Sequence, residues 1–184
     1  MVITVPNILS ILRILSIPVF IIVMSYGMIP FALAIFVFAG ITDALDGFIA
    51  RWFHQKTAFG AYLDPIADKL LLASSFVCCA VLQLIPKWLS VLVVSRDVII
   101  STGILLLWVN GYRIEIKPSA ISKCTTFLQL LSISMRLLLE TVGTQRPEIV
   151  AVYWVTGLLT VVSGIHYITV GLRVVNAREP ISGR

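Results

Sequence analysis

Six apolar runs, each about as long as a helix that crosses a bilayer, constrain what this chain can fold into. They extend from about Ile8 to Tyr26, Pro30 to Phe53, Ala61 to Ile85, Leu89 to Asn110, Ser119 to Glu140 and Glu148 to Val174. About 20 predominantly apolar residues cross the hydrocarbon layer as an α-helix. Within that layer a segment must satisfy its own backbone polar groups, which a helix does internally. Composition agrees, since 59% of the 184 residues are hydrophobic and 12% are charged. A soluble domain carries about 25% charged residues. The expected fold is all-α, an integral membrane bundle of six transmembrane helices forming a single domain over residues 1–184. Short connections should make consecutive helices antiparallel neighbours. No linker, repeat or low-complexity stretch interrupts them. The start lacks the basic n-region of a signal peptide, and Arg13 breaks the apolar run that such a peptide would need.

Basic residues orient the bundle. Arg51 and Lys56 follow the second run, and Arg113, Lys117 and Lys123 surround the start of the fifth. Arg173, Arg178 and Arg184 lie at the end of the chain. The opposite side has Lys87 and Arg146, with Arg136 near it. Both termini are therefore expected in the cytoplasm, as an even number of spans requires. The net charge of +5 suits anionic lipid headgroups and phosphates, not nucleic acid. Cys78, Cys79 and Cys124 lack metal or redox spacing and read as packing residues. Trp52, Phe53, Trp88 and Trp108 read as interfacial anchors. His54 reads as a solvated loop residue and His166 as a packing residue.

The informative residues are the acids inside the runs. Of nine acidic residues, Asp43, Asp46, Asp64, Asp68 and Asp97 lie within apolar segments. Each costs roughly 2.5–3.5 kcal/mol near a helix centre. Asp43 and Asp46 share a helix face with Gly47 and Ala50, and Asp64 and Asp68 share a face of the next helix. Asp46 lies about 7–8 Å inside the edge marked by Arg51, from the helical rise. Asp64 and Asp68 lie at a similar depth, so the two pairs should face each other. Their mutual repulsion calls for protons or cations. With oxygen ligands and no His or Cys nearby, hard ions are favoured: Mg²⁺, Mn²⁺ or Ca²⁺. Two such ions suit chemistry at a diphosphate. Gly47, Ala50 and Gly60 leave an open floor for a bulky group, although small residues also serve helix packing.

In order, the segment reads Asp43-Ala-Leu-Asp46-Gly47-Phe-Ile-Ala50-Arg51, eight residues, Gly60, three residues, Asp64, three residues, Asp68. This resembles the signature DxxDGxxARx₈GxxxDxxxD of the CDP-alcohol phosphotransferase family at every fixed position. The resemblance implies transfer of a substituted phosphate from a CDP-linked lipid, CDP-diacylglycerol, to an alcohol, with release of CMP. It implies metal binding by Asp43, Asp46, Asp64 and Asp68, with Mg²⁺ or Mn²⁺ as two ions. It makes Asp68 the general base as well. It puts Gly47, Ala50, Arg51 and Gly60 around the cytidine diphosphate. A homodimer in the cytoplasmic (inner) membrane, or the mitochondrial inner membrane of a eukaryote, is implied too. The active site would face the cytoplasm.

The acceptor is read from other residues. Asn7, Ser10 and Arg13 place polar groups along the first helix. Arg96 and Asp97 form an internal pair, and Lys117 and Lys123 flank the start of the fifth helix. Asn7, Arg13, Arg96, Lys117 and Lys123 are the candidate acceptor-binding residues. Family members that make phosphatidylglycerophosphate usually carry GKxKT-x-x-Q here. In this chain Ser122 replaces the glycine and Thr125 the second lysine. The runs Ser95-Arg96-Asp97-Val98 and Lys117 to Lys123 look more like eukaryotic-type cardiolipin synthases of the family. The expected acceptor is therefore phosphatidylglycerol, with glycerol-3-phosphate as the alternative. Two other classes bury helical aspartates. A UbiA-type prenyltransferase needs more spans and lacks the DGxxAR continuation. A cation transporter tends to spread such residues over broken helices or repeats.

Overall fold

The computed structural model describes residues 5–52, 58–110, 119–144 and 146–176, except the side chains of 5–7, 44–52, 58–65, 108, 174 and 176. Six helices account for nearly all of it: α1 (Val5–Ser25), α2 (Ile29–Trp52), α3 (Ala58–Val81), α4 (Lys87–Val109), α5 (Ala120–Val142) and α6 (Ile149–Asn176). Each is long enough to reach about 30–40 Å at the helical rise. Three are also apolar enough to cross a membrane by length and composition: α1 over Ile8–Ser25, α4 over Lys87–Leu107 and α6 over Ile149–Arg173. Among the described side chains of α2 the apolar stretch is Ile29–Asp43. Asp64, Asp68 and Lys69 interrupt α3, and Lys123, Arg136 and Glu140 interrupt α5. Large apolar side chains cover the outer surface, among them Leu15, Phe31, Phe38, Leu106, Phe127 and Leu158. Such a surface marks a membrane contact. The chain is a multi-pass membrane protein.

Helix ends follow local chemistry. Ser119 caps α5, its side chain accepting from the Ser122 amide. Gly143 closes α5 with φ 70°, and Gly27 follows α1 with φ 71°. Both are left-handed positions that favour glycine. The end of α3 departs furthest from expectation, at Val81 instead of Ile85. Gln83 takes the left-handed position, with φ 58°, and the Leu84 amide donates to the Cys79 carbonyl at 2.8 Å. No glycine announces this stop. Cys79 is buried in the core, whereas Cys124 is exposed, so only part of the cysteine reading holds.

Among the described residues the helices form a closed ring in the order α1, α3, α4, α6, α5, α2, and α3 also meets α5 across it. Among the described residues, α1 packs on both α2 and α3 and α6 on both α4 and α5, more extensively than α2 packs on α3 or α4 on α5, so the main packing does not follow chain order as expected. The apolar core fills one end of the ring, with Phe20, Met24, Phe36, Phe76, Leu89 and Leu137 buried there. Buried polar residues gather toward the other end, including Ser10, Arg13, Arg96, Thr125, Gln129 and Ser163. The apolar end interlocks tightly. A Cβ on Gly157 would stand 2.7 Å from Cζ3 of Trp88, whose ring lies 4.9 Å from that of Trp154.

Gly157→Ala is expected to destabilise the bundle by about 1–3 kcal/mol, the range for overpacking. Gly40→Ala, which meets nothing within 4 Å, should leave stability unchanged or raised. Thermal unfolding of the two variants in one detergent checks the contrast.

Candidate active site

The signature falls on the polar end of the ring. Asp43, Asp46, Gly47, Ala50 and Arg51 occupy the second half of α2, and Gly60, Asp64 and Asp68 the first half of α3. Helix α1 packs against both. The side chains of Asp46, Gly47, Ala50, Arg51, Gly60 and Asp64 lie outside the described residues, as does that of Asn7. Lys117 lies outside them altogether. Helical periodicity keeps Asp43 with Asp46, and Asp64 with Asp68, on common faces. Among the described residues no three metal-ligating side chains gather, since two of the four aspartates are missing from that set. The donor chemistry is carboxylate throughout, which fits a hard divalent cation.

Arg13 holds the best-defined contact of the site. Its Nη1 lies 2.7 Å from Oδ1 of Asp43, and its side chain is 0% exposed against 41% for the aspartate. A guanidinium at membrane depth needs such a partner. The pair offsets one negative charge and fixes the orientation of the carboxylate. Sequence reasoning grouped Arg13 with the acceptor pocket. The structure places it on a signature aspartate, bridging α1 to α2. On α3, Lys69 follows Asp68 and donates to Ser101 of α4 at 3.1 Å, so the helix carrying Asp68 is tied to its neighbour.

Arg96, also buried, joins three helices. Its Nη1 donates to Asp97 at 2.6 Å. Its Nη2 donates to Ser122 of α5 at 2.8 Å and to Ser163 of α6 at 2.7 Å. The Tyr167 ring centre is 5.9 Å from the guanidinium carbon. Lys123, next in chain to Ser122, is exposed. Both line a shallow depression of about 340 Å³ with Thr126. Beyond Arg96, an apolar cleft of about 510 Å³ opens between α4 and α6, lined by residues such as Ile100, Leu107, Asn110 and Tyr167.

A polar ladder between α5 and α6 supports this corner. Thr125 donates to the Leu159 carbonyl at 3.2 Å. Gln129 donates to Thr160 at 3.1 Å, and the Ser132 and Thr156 hydroxyls are 2.8 Å apart. The α6 partners were not anticipated. Thr156, Thr160 and Ser163 do recur at four- and three-residue steps in an apolar helix, which is the signal of a buried seam.

The model for CDP-alcohol phosphatidyltransferases matches residues 3–170. The chain belongs to the CDP-alcohol phosphatidyltransferase family. This phosphatidyltransferase is similar to a probable phosphatidylglycerophosphate synthase of Mycobacterium tuberculosis, with 35% identity over 91% of this chain and 81% of the relative. It is also similar to a CDP-diacylglycerol–glycerol-3-phosphate 3-phosphatidyltransferase of Salmonella paratyphi A. There the identity is 34% over 90% of this chain and 93% of the relative. A probable CMP-forming cardiolipin synthase of Drosophila melanogaster shares 32% identity over 90% of this chain, which spans 56% of that relative. The phosphatidyltransferase is thus an enzyme of phospholipid synthesis, and its family generally uses a divalent metal.

Arg13→Ala is expected to lower CMP release by about tenfold or more, since it leaves Asp43 without its partner. Arg13→Lys should restore part of it, keeping the charge without the fork. CMP release measured across a Mg²⁺ series checks both.

Proposed function

We propose that this phosphatidyltransferase joins phosphatidylglycerol to the phosphatidyl group of CDP-diacylglycerol, giving cardiolipin and CMP. The supporting observation is the surroundings of position 125. Thr125 is 0% exposed, and its hydroxyl donates to the carbonyls of Ile121 at 2.8 Å and Leu159 at 3.2 Å. The place where a second lysine would serve a glycerol phosphate is instead closed into the α5–α6 seam. That leaves Lys123 as the exposed cation in the first turn of α5 among the described residues. A phosphate monoester carries about −1.5 to −2 charges at neutral pH, whereas a diester carries one. A single lysine suits the diester of phosphatidylglycerol. The apolar cleft beside Tyr167 has the lining that an acyl chain needs.

In this reading all six helices span the membrane, with both termini and the signature on the cytoplasmic side. The even helix count and the basic residues near Arg51, Lys123 and Arg173 support that topology. A homodimer in the inner membrane follows from the resemblance. Asp43, Asp46, Asp64 and Asp68 would hold two Mg²⁺ or Mn²⁺ ions, which would neutralise the diphosphate. Gly47, Ala50, Arg51 and Gly60 would receive the cytidine diphosphate. Asp68 takes the proton of the acceptor hydroxyl. The oxygen then bonds to the lipid-side phosphorus, the diphosphate P–O bond breaks, and CMP leaves with its electron pair. Arg13 holds Asp43 in place during this exchange.

A second reading takes glycerol-3-phosphate as acceptor. It is favoured by the near full-length similarity to the Salmonella enzyme. Purified protein with CDP-diacylglycerol and Mg²⁺ is expected to release CMP with phosphatidylglycerol and far more slowly with glycerol-3-phosphate. Asp68→Asn should abolish release with either. A preference for glycerol-3-phosphate would reverse the acceptor, and undiminished release in Asp68→Asn would remove the proposed base.

A further inference from the structure

We infer that Ser122 selects the acceptor, by engaging Arg96 and so withholding one guanidinium N–H donor from the headgroup depression on α5. The inference rests on the cardiolipin-forming reading above and assigns its charge selection to one hydroxyl. Ser122 has two neighbours that no other described residue shares. Its Oγ accepts from Nη2 of Arg96 at 2.8 Å, and it lines the depression that also holds Lys123 and Thr126. It therefore stands between a buried guanidinium and the place where an acceptor headgroup would meet Lys123.

Charge balance gives the position its effect. Nη1 of Arg96 contacts Asp97 at 2.6 Å, with both side chains largely buried, so the pair is close to neutral. The two N–H groups of Nη2 are taken by Ser122 and by Ser163. Among the described residues the depression then presents one cation, Lys123, which favours a singly charged phosphodiester. Without the Ser122 hydroxyl, an Nη2 N–H of Arg96 is left unpaired beside the depression, in addition to Nε, which is buried without a hydrogen-bond partner. A buried donor without an acceptor is costly, and a phosphate monoester supplies both the acceptor oxygen and the additional negative charge. Ser163 differs in position: it is 0% exposed and approaches Arg96 from α6, away from the depression. The helix start does not depend on the Ser122 side chain, because its backbone amide is the group that Ser119 caps at 3.2 Å.

The test compares kcat/KM for glycerol-3-phosphate with kcat/KM for phosphatidylglycerol in the full-length enzyme and in Ser122→Ala, Ser122→Gly, Ser122→Thr and Ser163→Ala. The two variants lacking the hydroxyl at position 122 should shift the ratio toward glycerol-3-phosphate by about tenfold, the order expected for one hydrogen bond to a charged group. The shift should appear mainly as a lower KM for glycerol-3-phosphate. Ser122→Thr, which keeps a hydroxyl, and Ser163→Ala should keep the wild-type ratio. An unchanged ratio in both Ser122→Ala and Ser122→Gly overturns the inference, as does an equal fall with both acceptors. An equal shift in Ser163→Ala overturns it too, because any loosening of Arg96 would then suffice. The wild-type preference itself tests the functional reading separately: an enzyme that already favours glycerol-3-phosphate refutes that reading before any variant is compared.

Discussion

A carboxylate at membrane depth persists as an anion only beside something positive, and the ion pair between Arg13 and Asp43 meets that condition inside the protein. The guanidinium is enclosed and the carboxylate is partly open. One side of Asp43 is thus committed to structure while the other stays open. The contact also decides which helix lies between the two aspartate-bearing ones. Helix α1 brings Arg13 to α2 while packing against α3, and it occupies the position that a simple hairpin of α2 and α3 would have closed.

The rest of the bundle divides along its axis. At one end, buried aromatic and aliphatic side chains lock the six helices together, and the fit of Trp88 against Gly157 shows how little space remains. At the other end the same helices bury arginine, aspartate, serine and threonine. Interhelical hydrogen bonds at such depth contribute modestly one by one, roughly 0.6–2 kcal/mol. Spread along Thr125, Gln129, Ser132 and their partners on α6, they fix how α5 sits against its neighbour. A rigid apolar end thereby supports the polar end that carries the family signature.

Much of this was legible in the sequence because its signals are local. Apolar length revealed six helices, and the fixed spacing from Asp43 to Asp68 marked the end of the bundle that buries polar residues. The family signature covers that same segment. What stayed hidden depends on long-range packing. Gln83 adopts a left-handed turn that no glycine signals, so α3 stops early. The ring order that places α1 between α2 and α3 leaves no trace in loop length. Arg13 read as an acceptor contact because its partner lies thirty positions away. Arg96 read as one half of a pair with Asp97, while the hydroxyls that hold its other nitrogen come from two further helices.

The ring order has a consequence for biogenesis. Helices leave the ribosome in numerical order, yet they do not assemble in it. When α1 enters the membrane, the carboxylate that Arg13 meets at 2.7 Å arrives only with α2, which favours integration of the first two helices together. The polar seam along α5 is completed by Thr156, Thr160 and the Leu159 carbonyl of α6. Until that helix arrives, the hydroxyl and amide groups along α5 face lipid or a holding chaperone. Commitment to the folded state therefore waits for α6, and a nascent chain halted before it would present a polar flank that membrane quality control can recognise.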